Sequence, residues 1–197
     1  MKRKYLTENE VEQLLTTALK ESHSNRDYCM IMMTFVHGLR VSELISLRTE
    51  DYDPLSQRIN IRRLKGGLST IHPLLQDENM VLQRWINERK KWTGHEKKWL
   101  FLSRKGGKLS RQRIYNMIKN YGIKSNLPLP VHPHMLRHAC GYNLADRGND
   151  TRLIQDYLGH RNIRHTVGYT AANSARFINA WNRNPEHQTL FQQVKQP

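Results

Sequence analysis

The chain has 197 residues, 32 Lys and Arg against 17 Asp and Glu, and a formal net charge of +15 with histidine neutral. That length buries a core of ordinary size without disulfide staples, and 38% apolar with 25% charged residues excludes a disordered tail or a fibre. The longest nearly apolar run, Tyr28 to Val36, is too short to cross a bilayer, no apolar signal core follows the N-terminus, and two cysteines (Cys29, Cys140) predict no disulfide framework, so a reducing cytoplasm is the expected compartment.

Thr7-Glu8-Asn9-Glu10 is a capping box, and Val11, Leu14, Leu15 and Leu19 recur at helical spacing, which predicts an amphipathic helix over about 8–20. Arg26 to His37 predicts a second, largely buried helix closed by Gly38, its methionines filling the core. Val41 to Leu47 predicts a further turn or two. Arg58 to Arg62 alternates polar and apolar, as does the stretch after Gly66-Gly67 through Ile71. Together they predict a β-hairpin with Lys65 at its turn, the one clear sheet signal.

Further helices are expected from Asp77 to about Trp92 and from a Ser110 cap to near Gly122. Pro133 suits the first position of a helix that runs to about Arg147 and stops at Gly148, and Asp150 caps a short helix ending at Gly159. The expected fold is therefore mainly α with a small antiparallel hairpin, in one domain over 1–197, with neither a repeat nor a linker.

The charge is unevenly spread. Residues 84–124 hold 13 basic and 2 acidic side chains, whereas 1–57 hold 7 and 9. The basic stretch runs through Arg89-Lys90-Lys91, Lys97-Lys98, Arg104-Lys105, Lys108, Arg111 and Arg113, with Trp92, Trp99 and Tyr115 interleaved. A solubilising surface is served as well by mixed signs, so this asymmetry points to a polyanion such as DNA.

Residues suited to chemistry cluster near helix ends. His134, Arg137 and His138 stand at offsets of three and four near a helix N-terminus, a face suited to an anion, because unpaired N–H groups and the arginine fork both favour phosphate oxygens. Arg40 follows Gly38 and His160 follows Gly159, both where the chain turns sharply. Lys65 sits on the hairpin tip, and Tyr169 falls nine residues after His160.

Gly38-Leu39-Arg40-Val41-Ser42-Glu43-Leu44, Lys65, His134-x-Leu136-Arg137-His138, Leu158-Gly159-His160 and Tyr169 together resemble the ordered signature of the tyrosine recombinases, the integrase family, over about residues 5–180. The runs Arg62-Arg63-Leu64-Lys65, Thr70-x-His72-Pro73-Leu74, His132 to Gly141 and Asp150 to Thr166 resemble the small bacterial invertases that switch fimbrial promoters. In that family the matching positions are catalytic: Arg40, Lys65, His134, Arg137, His160 and the nucleophile Tyr169. Most members carry a separate N-terminal DNA-clamping domain. Here the catalytic match begins by residue 7, as it does in the fimbrial invertases, and the basic stretch is the candidate for compensating grip.

The resemblance implies cleavage and rejoining of double-stranded DNA at inverted repeats through a 3′-phosphotyrosyl link, by a homotetramer on two sites, with host DNA-bending proteins as candidate partners, no metal, cofactor or ATP, and a nucleoid-associated location. Arg40 and Arg137 would clamp the phosphate with help from His160, Lys65 would protonate the leaving 5′-oxygen, and His134 would act as base for Tyr169 or position it. Glu43 would orient an active-site cation, and His138 would buttress the site. Phe177, Ile178 and Trp181 would form an apolar face docking on a neighbouring protomer, ahead of a polar tail over 182–197. Two other readings compete. Five histidines between His132 and His165 could hold a metal, although Arg137 among them would repel a cation. The same basic surface could also serve a DNA-binding regulator that does not cut.

Overall fold

The computed structural model describes residues 3–21, 23–63 and 68–171. Helix α1 (Glu8–Leu19) begins at the expected capping box, the Thr7 side chain accepting from the Glu10 amide while the Glu10 carboxylate accepts from the Thr7 amide. Helix α2 (Ser24–Val36) starts two residues earlier than its sequence pattern suggests and ends at Gly38, whose φ of +56° is left-handed. A Cβ there would meet the Leu158 side chain at 2.2 Å, so glycine serves both the turn and the close packing.

After α2 come the short helix α3 (Val41–Leu44), a 3₁₀ turn (Thr49–Asp51), and strands β1 (Tyr52–Asp53), β2 (Arg58–Ile61) and β3 (Thr70–Pro73). The three strands form one antiparallel sheet in the order β1-β2-β3, with Ile59 opposite both Tyr52 and His72. The hairpin is as expected and β1 is an addition, two residues being too few to show a period. Inward Ile59 and Ile61 are fully buried, while Ile71 faces outward. Lys65, at the predicted turn, lies outside the described residues.

Helices α4 (Gln76–Arg89), α5 (Arg111–Lys124), α6 (Pro133–Asp146), α7 (Thr151–Leu158) and α8 (Arg164–Thr170) complete the order. Gly122 does not end α5. It lies inside the helix, where a Cβ would strike Val131 at 2.5 Å, so the glycine marks a close approach, not a stop. Helix α2 is the central element, packed on α1, α4 and α6. The core gathers Leu14, Met30, Met33, Leu44, Ile59, Leu82 and Trp85, so the methionines fill it as expected. A smaller apolar cluster (Cys140, Ala145, Ile154, Leu158, Tyr169) joins α6, α7 and α8. Both cysteines are buried free thiols. No helix among the described residues is long and apolar enough to cross a membrane.

Candidate active site

The site assembles where the ends of α2 and α7 meet the start of α6. Glu43, fully shielded in α3, is its electrostatic centre. One carboxylate oxygen accepts from the Arg40 guanidinium at 2.8 Å, and the other accepts from the Arg40 backbone amide at 2.9 Å and from Arg63 Nη1 at 2.9 Å. Arg137 Nη1 stands 3.8 Å from that second oxygen. Burial raises the Glu43 pKa, but the Arg63 charge and the Arg40 hydrogen bonds outweigh it and hold the carboxyl below its ordinary value. One carboxylate thus binds three guanidiniums, leaving the cluster with net positive charge.

Arg137, on the buried side of α6, donates to Gly38 O and, at 2.8 Å, to Leu158 O. Burial and the Arg40 charge push its pKa down to about 10, so it stays protonated at neutral pH. Arg40 is more open, its side chain 28% exposed. His160 follows the left-handed Gly159 (φ +63°) and shares a hydrogen bond of 2.9 Å with the Thr166 hydroxyl. Burial and the charges of Arg137 and Arg40 lower its pKa to about 3. His134 is exposed on the first turn of α6, and partial desolvation with the same two arginines lowers its pKa too.

Tyr169 rides on α8, a helix that its sequence pattern does not announce. The residue is only 5% exposed. Its hydroxyl shares a hydrogen bond of 2.9 Å with His138 Nδ1, and its ring meets Tyr142 edge-on at 5.1 Å and lies 6.3 Å from His160. A Cβ on Gly141 would sit 2.7–2.8 Å from the Tyr169 ring, so that mid-helix glycine makes room for the tyrosine. Burial pushes the phenol up to about 12, against the opposing charges of Arg137 and Arg40. His138 has a lowered pKa, chiefly from burial, and is neutral at pH 7.

Of the six residues expected at the site, Arg40 and Arg137 act electrostatically on His134, His160 and Tyr169 alike, and Lys65 is outside the described residues. Arg63 is a functional candidate that a residue-by-residue reading passes over, although the strand's period of two signals it: Ile59, Ile61 and Arg63 all point inward. Among the described residues no three His, Cys, Asp or Glu side chains are grouped to hold a metal. Of the interleaved aromatics, Trp92 packs edge-on against Trp85 in the core, while Trp99 stays near the surface between Lys98 and Lys108, their ammonium groups 5.0 and 4.4 Å from its ring.

A buried tyrosine stands here among arginines and histidines on a helical scaffold, an arrangement chemically suited to receive a phosphate. The phage integrase family model matches residues 4–176, and the chain belongs to that family as a site-specific DNA recombinase of the tyrosine type. It is 53% identical over 184 residues to the type 1 fimbriae regulatory protein FimE of Escherichia coli K12, covering 93% of each chain. It is 52% identical over 182 residues to FimB of the same strain, covering 92% of this chain and 91% of that one. The crystal structure of XerA recombinase superposes with a TM-score of 0.78 at 31% identity, over 91% of this chain and 65% of that one.

Proposed function

We propose that this chain inverts a short DNA element between inverted repeats and so switches fimbrial expression. The likeness to FimE and FimB over more than nine-tenths of either chain supports that substrate. In this reading the protein works as one catalytic domain over 1–197, at the nucleoid in the cytoplasm, as a homotetramer on two double-stranded sites assisted by DNA-bending proteins. The net charge of residues 84–124 supports them as the gripping surface, with Arg89 excepted because its guanidinium is buried on backbone carbonyls.

The observation that carries the mechanism is the Tyr169 hydroxyl, hydrogen-bonded to His138 and flanked by the charges of Arg137 and Arg40. With its pKa near 12, forming a free phenolate at pH 7 would cost about 7 kcal/mol. The proton therefore leaves as the oxygen attacks. A neutral imidazole can take it, and His138 is placed to receive it, with His134 the second candidate. Attack by the phenolic oxygen on the scissile phosphorus forms the tyrosyl–phosphate bond and breaks the bond to the 5′-oxygen. Lys65 gives that oxygen a proton, and the products are a 3′-phosphotyrosyl strand and a free 5′-hydroxyl. Arg40 and Arg137 stabilise the charge on the nonbridging oxygens, His160 adds a hydrogen bond, and reversal by a second 5′-hydroxyl completes the exchange.

The test is a suicide substrate nicked beside the cleavage point. Wild type gives a covalent protein–DNA adduct, and Tyr169→Phe folds and binds DNA but gives none; an adduct with the Phe variant removes Tyr169 as nucleophile. Lys65→Ala cleaves slowly on ordinary DNA and recovers on a substrate with a 5′-bridging sulfur, because a thiolate leaves without a proton. Equal slowness on both substrates removes Lys65 as the acid.

A further inference from the structure

Arg63 has the placement of a positioning residue. It lies on the continuation of β2, two positions before Lys65, with its side chain wholly inaccessible to solvent. Nη1 donates to Glu43 at 2.9 Å, while Nη2 donates to His37 O at 3.2 Å and also to Tyr157 O. Arg137 donates to the next carbonyl along in each segment, Gly38 O and Leu158 O. Two guanidiniums therefore stitch the end of α2 to the end of α7, and both face the same carboxylate. The Arg63 stem also passes beneath the turn that presents His160: a Cβ on Gly159 would lie 2.7 Å from Arg63 Cγ.

A buried guanidinium is costly unless its donors are used, and Arg63 Nε has no partner among the described residues. An apolar residue, which the alternation of Ile59 and Ile61 would favour here, would fill the space without that cost. What an apolar side chain cannot do is hold Glu43. Without Arg63, that carboxylate keeps Arg40 and the distant Arg137 contact alone, and is free to swing toward whichever guanidinium approaches it. Arg40 and Arg137 then lose the fixed spacing that a bidentate grip on one phosphate requires.

We propose that Arg63 positions the catalytic arginine pair by fixing Glu43. The proposal rests on the recombinase reading above, and the wild-type adduct tests that reading separately. Arg63→Met, Arg63→Lys, Glu43→Gln and the Met/Gln double variant are compared for adduct formation on the nicked substrate, half-site affinity and thermal unfolding. Arg63→Met is expected to slow cleavage by about tenfold to a hundredfold with half-site affinity within about threefold, because displacement of catalytic groups costs rate more than binding. Arg63→Lys, which can reach Glu43 but not both carbonyls, recovers part of the rate.

The double variant distinguishes positioning from bulk stability. If Arg63 acts through Glu43, Arg63→Met adds little to the cleavage defect of Glu43→Gln, yet still lowers the melting temperature through the lost carbonyl bonds. Wild-type cleavage by folded Arg63→Met overturns the proposal, as does a cleavage loss matched by loss of binding, or a full additional loss in the Glu43→Gln background. Should Arg63→Met not fold, Arg63→Lys decides in the same background, and failure of both to fold makes Arg63 a structural bond and overturns the proposal.

Discussion

Arg89 and Arg137 are buried almost equally, at 5% and 4% exposure, yet they sit in opposite electrostatic company. Arg89 closes the loop after α4: Nε and Nη2 donate to Trp99 O at 3.1 and 2.7 Å, Nη1 to His95 O at 2.7 Å, and Nη2 to Lys97 O at 2.6 Å. All its nitrogens bond backbone, and its pKa is lowered by burial against the opposing charge of Glu96. Arg137 bonds two carbonyls and otherwise faces Arg40, Arg63, Glu43 and Tyr169. Burial of an arginine therefore does not mark a site. A cluster of like charges in excess of its carboxylate is the better marker, because its surplus positive charge attracts an arriving anion.

The widest separation should come from exchanging the fates of these two residues. Arg137→Ala is expected to slow adduct formation by about 10²–10³-fold while half-site affinity changes little, since its charge is aimed at one transition state and DNA presents many phosphates. Arg89→Ala leaves three carbonyls without their donor and should cost about 2–4 kcal/mol in urea unfolding, with cleavage per folded molecule unchanged. A cleavage defect in folded Arg89→Ala would erase the distinction.

Gly159→Ala should fall between these effects. The backbone there is left-handed at φ +63°, and a Cβ would press on the Arg63 stem at 2.7 Å. The strain costs about 1–3 kcal/mol, and the displaced turn carries His160, so stability and cleavage should fall together. Gly148→Ala supplies the control, with φ +81° but nothing within 4 Å of the added carbon. It should lose stability alone.

Much of this is legible in the order of the residues alone. Caps at Thr7, Ser110 and Asp150 and the stops at Gly38 and Gly159 locate four helices, because capping is local chemistry written in adjacent residues. Helix α8 is harder to read, since Arg164–Thr170 has no apolar stripe and Ile163 at its start makes no side-chain cap bond; Asn162 is the local signal, its Oδ1 accepting from the Arg164 amide at 2.9 Å, and packing on α6 and α7 holds the helix. The same limit applies at the site. Offsets of three and four identify His134, Arg137 and His138 as neighbours, whereas the pairing of His138 with Tyr169 spans 31 residues and no local pattern encodes it. Gly141 was the one local hint, since a glycine costs stability mid-helix unless something occupies its missing side chain.

The smallest expected effect separates two sets of histidines. His37 and His72, buried beneath the junction with their Nδ1 atoms 3.1 Å apart, have pKa values lowered chiefly by burial and also by the buried Arg63 charge, His72 to about 4. His134, His138 and His160 are lowered by burial as well, but the arginine that acts on all three is Arg137. All five bind fewer protons folded than unfolded below their ordinary value of 6.5, so the free protein holds its full stability above that pH and loses it as pH falls toward the folded values. Glu78, its carboxyl raised by burial, contributes the opposite slope but only nearer its own range. A DNA phosphate in the site offsets the arginine charge and raises the pKa of the site histidines alone. Half-site affinity should therefore strengthen from pH 7.5 to 5.5, by less than tenfold per unit for each proton taken up. His138→Gln should weaken that pH dependence and His72→Gln should leave it intact; equal weakening by both would mean that the two sets titrate as one.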